Sequence, residues 1–352
     1  MKNVPVILVG AGGVGQSLVA QIVHGRQTTA ARNQCHFQIV AIADSLSGQW
    51  AANGLPDEQL LALIEAKKKR QPLSQEKLSP LDLLAQAGAA GLPPGILVDV
   101  TASDGLEPIL DQALAMGWGV VLANKKALAT PWSSAQRYYH QPRLRHESTV
   151  GGGQPVIATL RYLLDTNDPI HRIEGQLSGT LGFICGRLDE GVLFSRALAE
   201  AKAKGFTEPD PREDLGGRDV RRKIMILGRM ASWPLEESDI EIESLYPRSL
   251  AHLSVPEFVA AAVAIDPSLA DRVAAAQAEG QVLRYVAQLE AGKGKVGLTA
   301  VPQNSPLANL KYISFRTGFY DVEPLLLGGK GAGVGMTAAG VLGDMIALTR
   351  EA

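Results

Sequence analysis

The 352-residue chain lacks most of what marks a secreted, membrane-spanning or nucleic-acid-binding protein. It has two cysteines, Cys35 and Cys185. Two thiols build neither a disulfide framework nor a thiolate metal cluster, and they fit a reducing, cytoplasmic setting. No run reaches the ~18 apolar residues of a membrane span. VPVILVGAGGVG follows the N-terminus almost at once, with no long apolar segment and cleavage-type site before it. Neither an export signal nor an anchor is expected. Basic residues are not in excess: 34 Lys and Arg against 36 Asp and Glu give a formal net charge of -2. That removes the electrostatic reason to expect nucleic acid or an anionic membrane as a partner. The run Lys67, Lys68, Lys69, Arg70 is too short to change this and reads as a solvated helix end. No internal repeat stands out.

Glycine, by contrast, is plentiful. Thirty-seven of them point to tight turns and close backbone approaches, within a 46% hydrophobic, 20% charged composition ordinary for a folded protein. The length exceeds what one hydrophobic core usually serves, so two domains are expected. Val4 to Val9 is a buried-strand pattern ending in a glycine turn, and SLVAQIVHG follows with helical spacing. FQIVAIAD, ILVDV and GVVLAN continue the strand series, with the amphipathic GLEPILDQALAMG between the last two. Alternation of this kind predicts an α/β fold with a Rossmann-type, doubly wound parallel sheet. Residues 46 to 95 are less regular and read as helical insertions.

After Val150 the rhythm changes. RIEGQLSG, KVGLTAV and LKYISFRTG read as strands, separated by helical patterns at Phe194 to Lys204 and Val220 to Ser232. This suits an α+β second domain whose open sheet is covered on one side. The last stretch, GGKGAGVGMTAAGVLGDMIALTR, is glycine-rich and then helical, and so apolar a helix needs a partner. It is expected to pack back on the first domain. The domains are therefore read as 1–150 plus 328–352 for dinucleotide binding, and 151–327 for substrate binding and dimerisation.

Gly10, Gly12 and Gly15 form G-x-G-x-x-G after a strand, with Gly13 and Val14 opening the helix. In this context the pattern is a dinucleotide fingerprint: a tight turn, a close approach to the pyrophosphate, and a helix N-terminus that attracts the anion. Asp44 ends the second strand, where a carboxylate can accept from the ribose hydroxyls and favours NAD over NADP. The interval from Gly15 is longer than the usual ~20 residues. An insertion near GRQTTAARNQ explains that. A 2′-phosphate would be repelled by Asp44, although the Lys67 to Arg70 cluster could fold over and offset this. Thr101 and Ser103 of DVTASD lie at the carboxyl edge, where they line the nicotinamide pocket or cap the next helix.

Lys125, in ANKKALAT, stands at the end of another strand on the same edge. In TEPDPREDLGGRDVRRK, Pro209 and Pro211 forbid a regular helix, Gly216 and Gly217 mark a second break, and a helix begins near Arg218. Asp219 and Lys223 then share a face, and the apolar KIMILGRM after them suggests partial burial. The pair is either an ordinary surface contact or a lysine tuned for proton transfer.

GAGGVG, DVTAS, ANKKAL, ESTVGGGQPVIATLR, IEGQLSGTLGFI, AKAKGFTEPDPREDLGGRDVRRK and GAGVGMTAAGVLGD, in this order, resemble homoserine dehydrogenase over nearly the whole catalytic core. The resemblance implies NAD(P)-dependent interconversion of L-homoserine and L-aspartate 4-semialdehyde, on the route to threonine, methionine and isoleucine. It implies that Lys223 handles the proton of the substrate hydroxyl, helped by Lys125. Glu208 and Asp219 would hold the substrate, with Asp214 in support and Thr180 and Gly179 contributing from the SGTL loop. Gly331 joins the cofactor set. The turn at ESTVGGG would hold a monovalent cation such as sodium through Glu147 and the carbonyls of Val150, Gly152 and Gln154, an oxygen set suited to a hard cation. Its alternative is a hinge without an ion. The family's tyrosine before T-E-P is Phe206 here. A homodimer formed through the second domain is implied. With the chain stopping after the returning helix, threonine inhibition through an appended domain is not expected. Two rival readings are a phosphorylating semialdehyde dehydrogenase, which needs Cys185 as nucleophile, and an NAD-binding sensor without turnover.

Overall fold

Strand β1 (Lys2–Val9) forms because its β-branched and apolar residues are buried from Val4 onward, as in a strand covered on both faces. In the computed structural model, which describes residues 1–351, the chain divides into two compact units. The first is Met1–Ala158 with the C-terminal segment from Gly331; the second is Thr159–Lys330. After β1 come α1 (Gly13–Asn33), β2 (Cys35–Ala43), β3 (Gly48–Trp50), α2 (Asp57–Lys68), α3 (Pro80–Ala89) and β4 (Ile96–Asp99). Then follow α4 (Glu107–Ala115), β5 (Gly119–Leu122), α5 (Trp132–Tyr139), β6 (Leu144–Arg145) and α6 (Val156–Asp165). The sheet order is β3-β2-β1-β4-β5-β6, parallel except for β3. This is the doubly wound α/β arrangement, with its ligand edge at the strand carboxyl ends. The long interval before Asp44 is taken up by α1 itself, a 21-residue helix. The 46–95 region holds two helices and also the edge strand β3, added antiparallel to β2.

The second unit runs β7 (Ile170–Gly175), α7 (Gly179–Asp189), α8 (Phe194–Ala203), α9 (Arg212–Leu215), α10 (Arg218–Met230), β8 (Ile240–Ile242), α11 (Val255–Ala261) and α12 (Asp266–Ala278). It continues with β9 (Gln281–Glu290), β10 (Lys293–Pro302), α13 (Pro306–Asn309), β11 (Tyr312–Thr317) and β12 (Leu325–Gly328). The order β12-β11-β7-β9-β10-β8 is antiparallel apart from the β10–β8 pair. Helices α7, α10 and α12 pack against β9. Ile173, Ile313 and Phe315 are buried, while Arg172, Glu174, Ser314 and Arg316 alternate with them on the other face. Strand period two thus separates an apolar inner face from a polar outer one.

The chain then returns to the first unit as α14 (Val334–Glu351), which packs on α1 and buries Ala338, Val341 and Met345 with Leu8, Leu18 and Val121. Gly331 leads into it. A Cβ there would come within 2.1 Å of the Gly151 carbonyl oxygen, and one on Gly152 within 2.2 Å of that of Gly331. Only glycines let the returning segment seat on the 151–154 turn. Among the described residues no helix is long and apolar enough to cross a membrane.

Candidate active site

The cofactor end is assembled at the edge of the first sheet. No side chain caps α1, and the first amide bonded within it is that of Gln16, which donates to the Gly12 carbonyl at 2.9 Å. The amides of Gly13, Val14 and Gly15 therefore face outward from the helix N-terminus, where an anion is attracted. Gly12 and Gly13 are exposed, with nothing within 4 Å of a Cβ on Gly12. A Cβ on Gly15 would sit 2.0 Å from the Gly10 carbonyl oxygen, so the third glycine is what lets α1 press on the β1 turn. These residues fit a bound pyrophosphate.

Asp44 lies just beyond β2. Its Oδ1 accepts from the amides of Leu46 at 2.8 Å and Ser47 at 2.9 Å, and its Oδ2 is 2.7 Å from Lys67 Nζ. The reading of Lys67 as part of a solvated helix end is therefore corrected. The last turn of α2 lays its side chain on Asp44, and only Lys68, Lys69 and Arg70 are exposed. Burial raises the Asp44 pKa, and the bonds from Lys67, Leu46 and Ser47 more than offset it, leaving the carboxyl below its ordinary value.

Two residues that sequence reasoning gave no role organise the loops after β4 and β5. Asn124 is buried, and its amide nitrogen donates to Asp99 Oδ2 at 3.0 Å, Thr101 Oγ1 at 3.2 Å and the Ser103 carbonyl at 2.8 Å. Its Oδ1 accepts from the Lys126 amide at 3.1 Å. Asn124 thus ties DVTAS to the turn carrying Lys125. Asp99 is buried beneath, where desolvation raises its pKa despite bonds from Thr101 and Asn124. The Thr101 hydroxyl also accepts from the Ser103 amide at 3.2 Å, a local turn bond of the capping kind.

Several residues of the second unit expected to serve the substrate converge. Lys223 Nζ donates to the Leu177 carbonyl at 2.8 Å and pairs with Asp219 Oδ2 at 2.6 Å, with the lysine side chain 19% exposed. Asp219 is in the first turn of α10, where its charge also suits the helix N-terminus. Thr180, buried in the first turn of α7, donates to the Phe206 carbonyl at 2.5 Å and Asp214 Oδ1 at 3.0 Å. Asp214 Oδ2 accepts from the Glu208 amide at 2.8 Å. Asp214 therefore holds the backbone that carries Glu208. Burial is the first cause of its raised pKa, and the charges of Asp219 and Glu213 add to it against the bonds from Glu208 and Thr180. Gly179 is exposed beside Thr180. Arg212 is structural: it binds Asp210 and the carbonyls of Ala251 and Leu253.

Residues 155–346 match the model of the homoserine dehydrogenase family, and residues 10–141 that of the homoserine dehydrogenase NAD-binding domain. The chain belongs to the homoserine dehydrogenase family. It is 35% identical to a homoserine dehydrogenase of Schizosaccharomyces pombe, over 99% of this chain and 96% of that one. It is 39% identical to a bifunctional aspartokinase/homoserine dehydrogenase of Haemophilus influenzae over 98% of its own length, and spans 43% of that longer protein. A hyperthermophilic archaeal homoserine dehydrogenase solved with NADPH superposes with a TM-score of 0.74 at 25% identity, over 99% of this chain and 98% of that one. Homoserine dehydrogenases are NAD(P)-dependent oxidoreductases acting on a CH–OH group, in amino-acid biosynthesis.

For a homoserine dehydrogenase a cysteine nucleophile is unnecessary, and Cys185 could not act as one. It is 1% exposed, and burial pushes its thiol up to about 11. Phe206 is half exposed and stacks edge-on with Phe183, ring centroids 5.2 Å apart. The turn expected to hold a cation also uses Glu147 within the fold. Its carboxylate accepts from the amides of Ile157 at 2.7 Å and Ala158 at 2.8 Å, at the N-terminus of α6. The Glu147 amide in turn donates to the buried Asp344 at 2.7 Å. The Gln154 carbonyl accepts from the Val156 amide at 2.8 Å.

Proposed function

We propose that this chain oxidises L-homoserine reversibly to L-aspartate 4-semialdehyde, with Lys223 moving the hydroxyl proton. The observation that carries the reading is the double anchoring of Lys223 Nζ by the Leu177 carbonyl and Asp219. A neutral amine has two N–H bonds and one lone pair. Two anchors occupy the two N–H bonds, so the lone pair points at the substrate hydroxyl and takes its proton. In the reverse direction the same position holds the third N–H of the ammonium, which donates to the carbonyl oxygen of the aldehyde. Both protonation states keep the same two anchors, so the proton moves without rearrangement. The nicotinamide of NAD(P), when bound, accepts or returns the hydride.

Glu208 suits the substrate ammonium, and Thr180 with Asp214 fixes the backbone from which Glu208 projects. Asp219 orients Lys223 and holds the substrate. Lys125, on the turn that Asn124 braces, assists at the coenzyme side. The first unit with its returning helix binds the coenzyme. The second, residues 151–327, binds substrate and forms the homodimer through the outer face of its sheet. That face carries a groove of about 770 Å³ lined by Arg172, Glu174 and Leu326 among others, supporting a role in contact. A cytoplasmic location accords with the two buried free thiols.

Glu147 and the carbonyls of Val150, Gly152 and Gln154 hold a monovalent cation such as sodium. One carboxylate and converging backbone carbonyls make the oxygen set a hard cation prefers, which supports this assignment. Exchange of sodium and potassium for a bulky organic cation lowers activity if the turn binds the ion; indifference removes it. For the main reading, coenzyme absorbance is followed with homoserine for wild type and Lys223→Ala. Wild-type turnover and a loss of about 10²- to 10⁴-fold in kcat in the variant are expected. Full turnover by Lys223→Ala with unchanged pH dependence refutes the proton role, and no wild-type turnover refutes the reaction.

A further inference from the structure

We propose that Lys67, by cancelling the charge of Asp44, is the coenzyme selector of this protein: with Lys67 the 2′-phosphate of NADP is accepted, and without it the site turns to NAD. The inference rests on the dinucleotide reading of the first unit and deepens it by naming the residue that discriminates. An aspartate at the end of the second strand ordinarily offers its oxygens to the ribose hydroxyls and repels a 2′-phosphate. Asp44 is differently committed. Its Oδ1 is taken by the Leu46 and Ser47 amides, which staple the 44–47 turn, and its Oδ2 lies against Lys67 Nζ at 2.7 Å.

The pair is enclosed, with side chains 17% exposed for Lys67 and 12% for Asp44. Oδ2 itself is buried against the Lys67 ammonium, 2.7 Å away. An ammonium has three N–H bonds and can turn one toward a second anion while remaining beside the first. A ribose diol needs an acceptor oxygen, and Lys67 covers the one that Asp44 has left. The bonds from Lys67 and the two amides hold the Asp44 carboxyl below its ordinary pKa despite burial, so it is ionised at neutral pH. What a 2′-phosphate meets is therefore decided by Lys67. The neighbouring charges add to it: Lys69 and Arg70 are exposed at the end of α2, while Lys68 is paired with Glu65. The pair alone is neutral, and the surplus around it is positive. The sequence left two outcomes open, NAD from the Asp44 carboxylate and NADP from an offset by the Lys67 to Arg70 cluster, and the pairing of Lys67 with Asp44 supports the second.

The test is the ratio of kcat/KM for NADP to that for NAD, with homoserine, in the full chain. Lys67→Met is expected to lower this ratio at least tenfold, because Asp44 then stands unneutralised with an oxygen available to the ribose. Lys67→Arg keeps the charge and is expected to keep the ratio within about threefold. Lys67→Met combined with Asp44→Asn is expected to return it to within threefold of wild type. An unchanged ratio in Lys67→Met overturns the proposal, as does an equal fall in the single and double variants. Titration of NADPH and NADH by nicotinamide fluorescence reads the same preference without turnover. A binding ratio that shifts in a protein inactive on homoserine sustains the selector and refutes the substrate reading. Homoserine turnover with a ratio blind to residue 67 does the reverse.

Discussion

Replacing Thr180 by valine tests whether the loop that carries Glu208 is positioned by a single hydroxyl. Valine keeps the shape and removes one O–H, which now serves the Phe206 carbonyl at 2.5 Å and Asp214 Oδ1 at 3.0 Å. Thr180 is 7% exposed, so water does not easily replace the donor. A neutral hydrogen bond contributes about 0.5 to 1.5 kcal/mol and one to a charged group about 1.5 to 3, so a loss of about 1 to 3 kcal/mol is expected. If about 1.4 kcal/mol of this falls on the bound geometry, kcat/KM for homoserine drops about tenfold, chiefly through KM. Asp214 adds a pH signature. Its pKa is already raised, so its ionisation opposes folding: no penalty exists below the unfolded pKa near 3.8, and the penalty is complete above the raised folded value. Removing the Thr180 bond raises the folded pKa further. The acid limb of the homoserine KM profile should move to higher pH in Thr180→Val and stay in place in Thr180→Ser. Denaturant unfolding beside steady-state kinetics over pH 5 to 8 checks both. Equal KM and an unmoved acid limb in the two variants would sink the argument, whatever the change in stability.

Asn124→Ala cuts the ties to Asp99, Thr101, Ser103 and Lys126 and should raise the coenzyme KM about tenfold or more while leaving the homoserine KM nearly constant; a rise in the homoserine KM alone contradicts the assignment. Glu147→Gln retains an acceptor but loses charge at the N-terminus of α6, and urea unfolding should show a loss of about 1 to 3 kcal/mol. Both cysteines are buried, so native protein should resist a thiol reagent at pH 8 and react at two sites in denaturant. Ala291 sits at φ 50° in the two-residue turn between β9 and β10, where Ala291→Gly should raise stability by roughly 0.5 to 1 kcal/mol in the same unfolding assay.

The parts of the fold that could be read directly are those where one physical signal dominates. Strands β1, β2, β4 and β5 are continuous apolar runs closed by glycine or polar turns, and α10 begins at Arg218, directly after the Gly216–Gly217 break. Strand β9 escaped because charge interrupts it. Arg284 reads as a solvent position, yet it is 6% exposed, satisfied by Asp189 at 2.7 Å and by the Ala308 carbonyl. Such a partner, 95 positions away along the chain, leaves no local trace. The short strands β3, β6 and β8 owe their assignment to a neighbour in the sheet rather than to their own two or three residues.

The same division runs through the site. Residues with a spacing signature were visible: the three glycines at the start of α1, and Asp219 four before Lys223. Residues whose role lies in a contact across loops were not. Asn124 looks like any polar residue after a strand until Asp99, Thr101 and Ser103 are found around its amide. Lys67 belongs to a charged run, and nothing in four consecutive basic residues says which one turns inward. The helix decides: α2 buries Leu60, Leu63 and Ile64, and position 67 is seven, four and three residues beyond them, at the middle of their face, while the side chains at 68 to 70 are exposed. Helical phase therefore places a cation at Asp44, and that placement determines whether the aspartate rejects a 2′-phosphate.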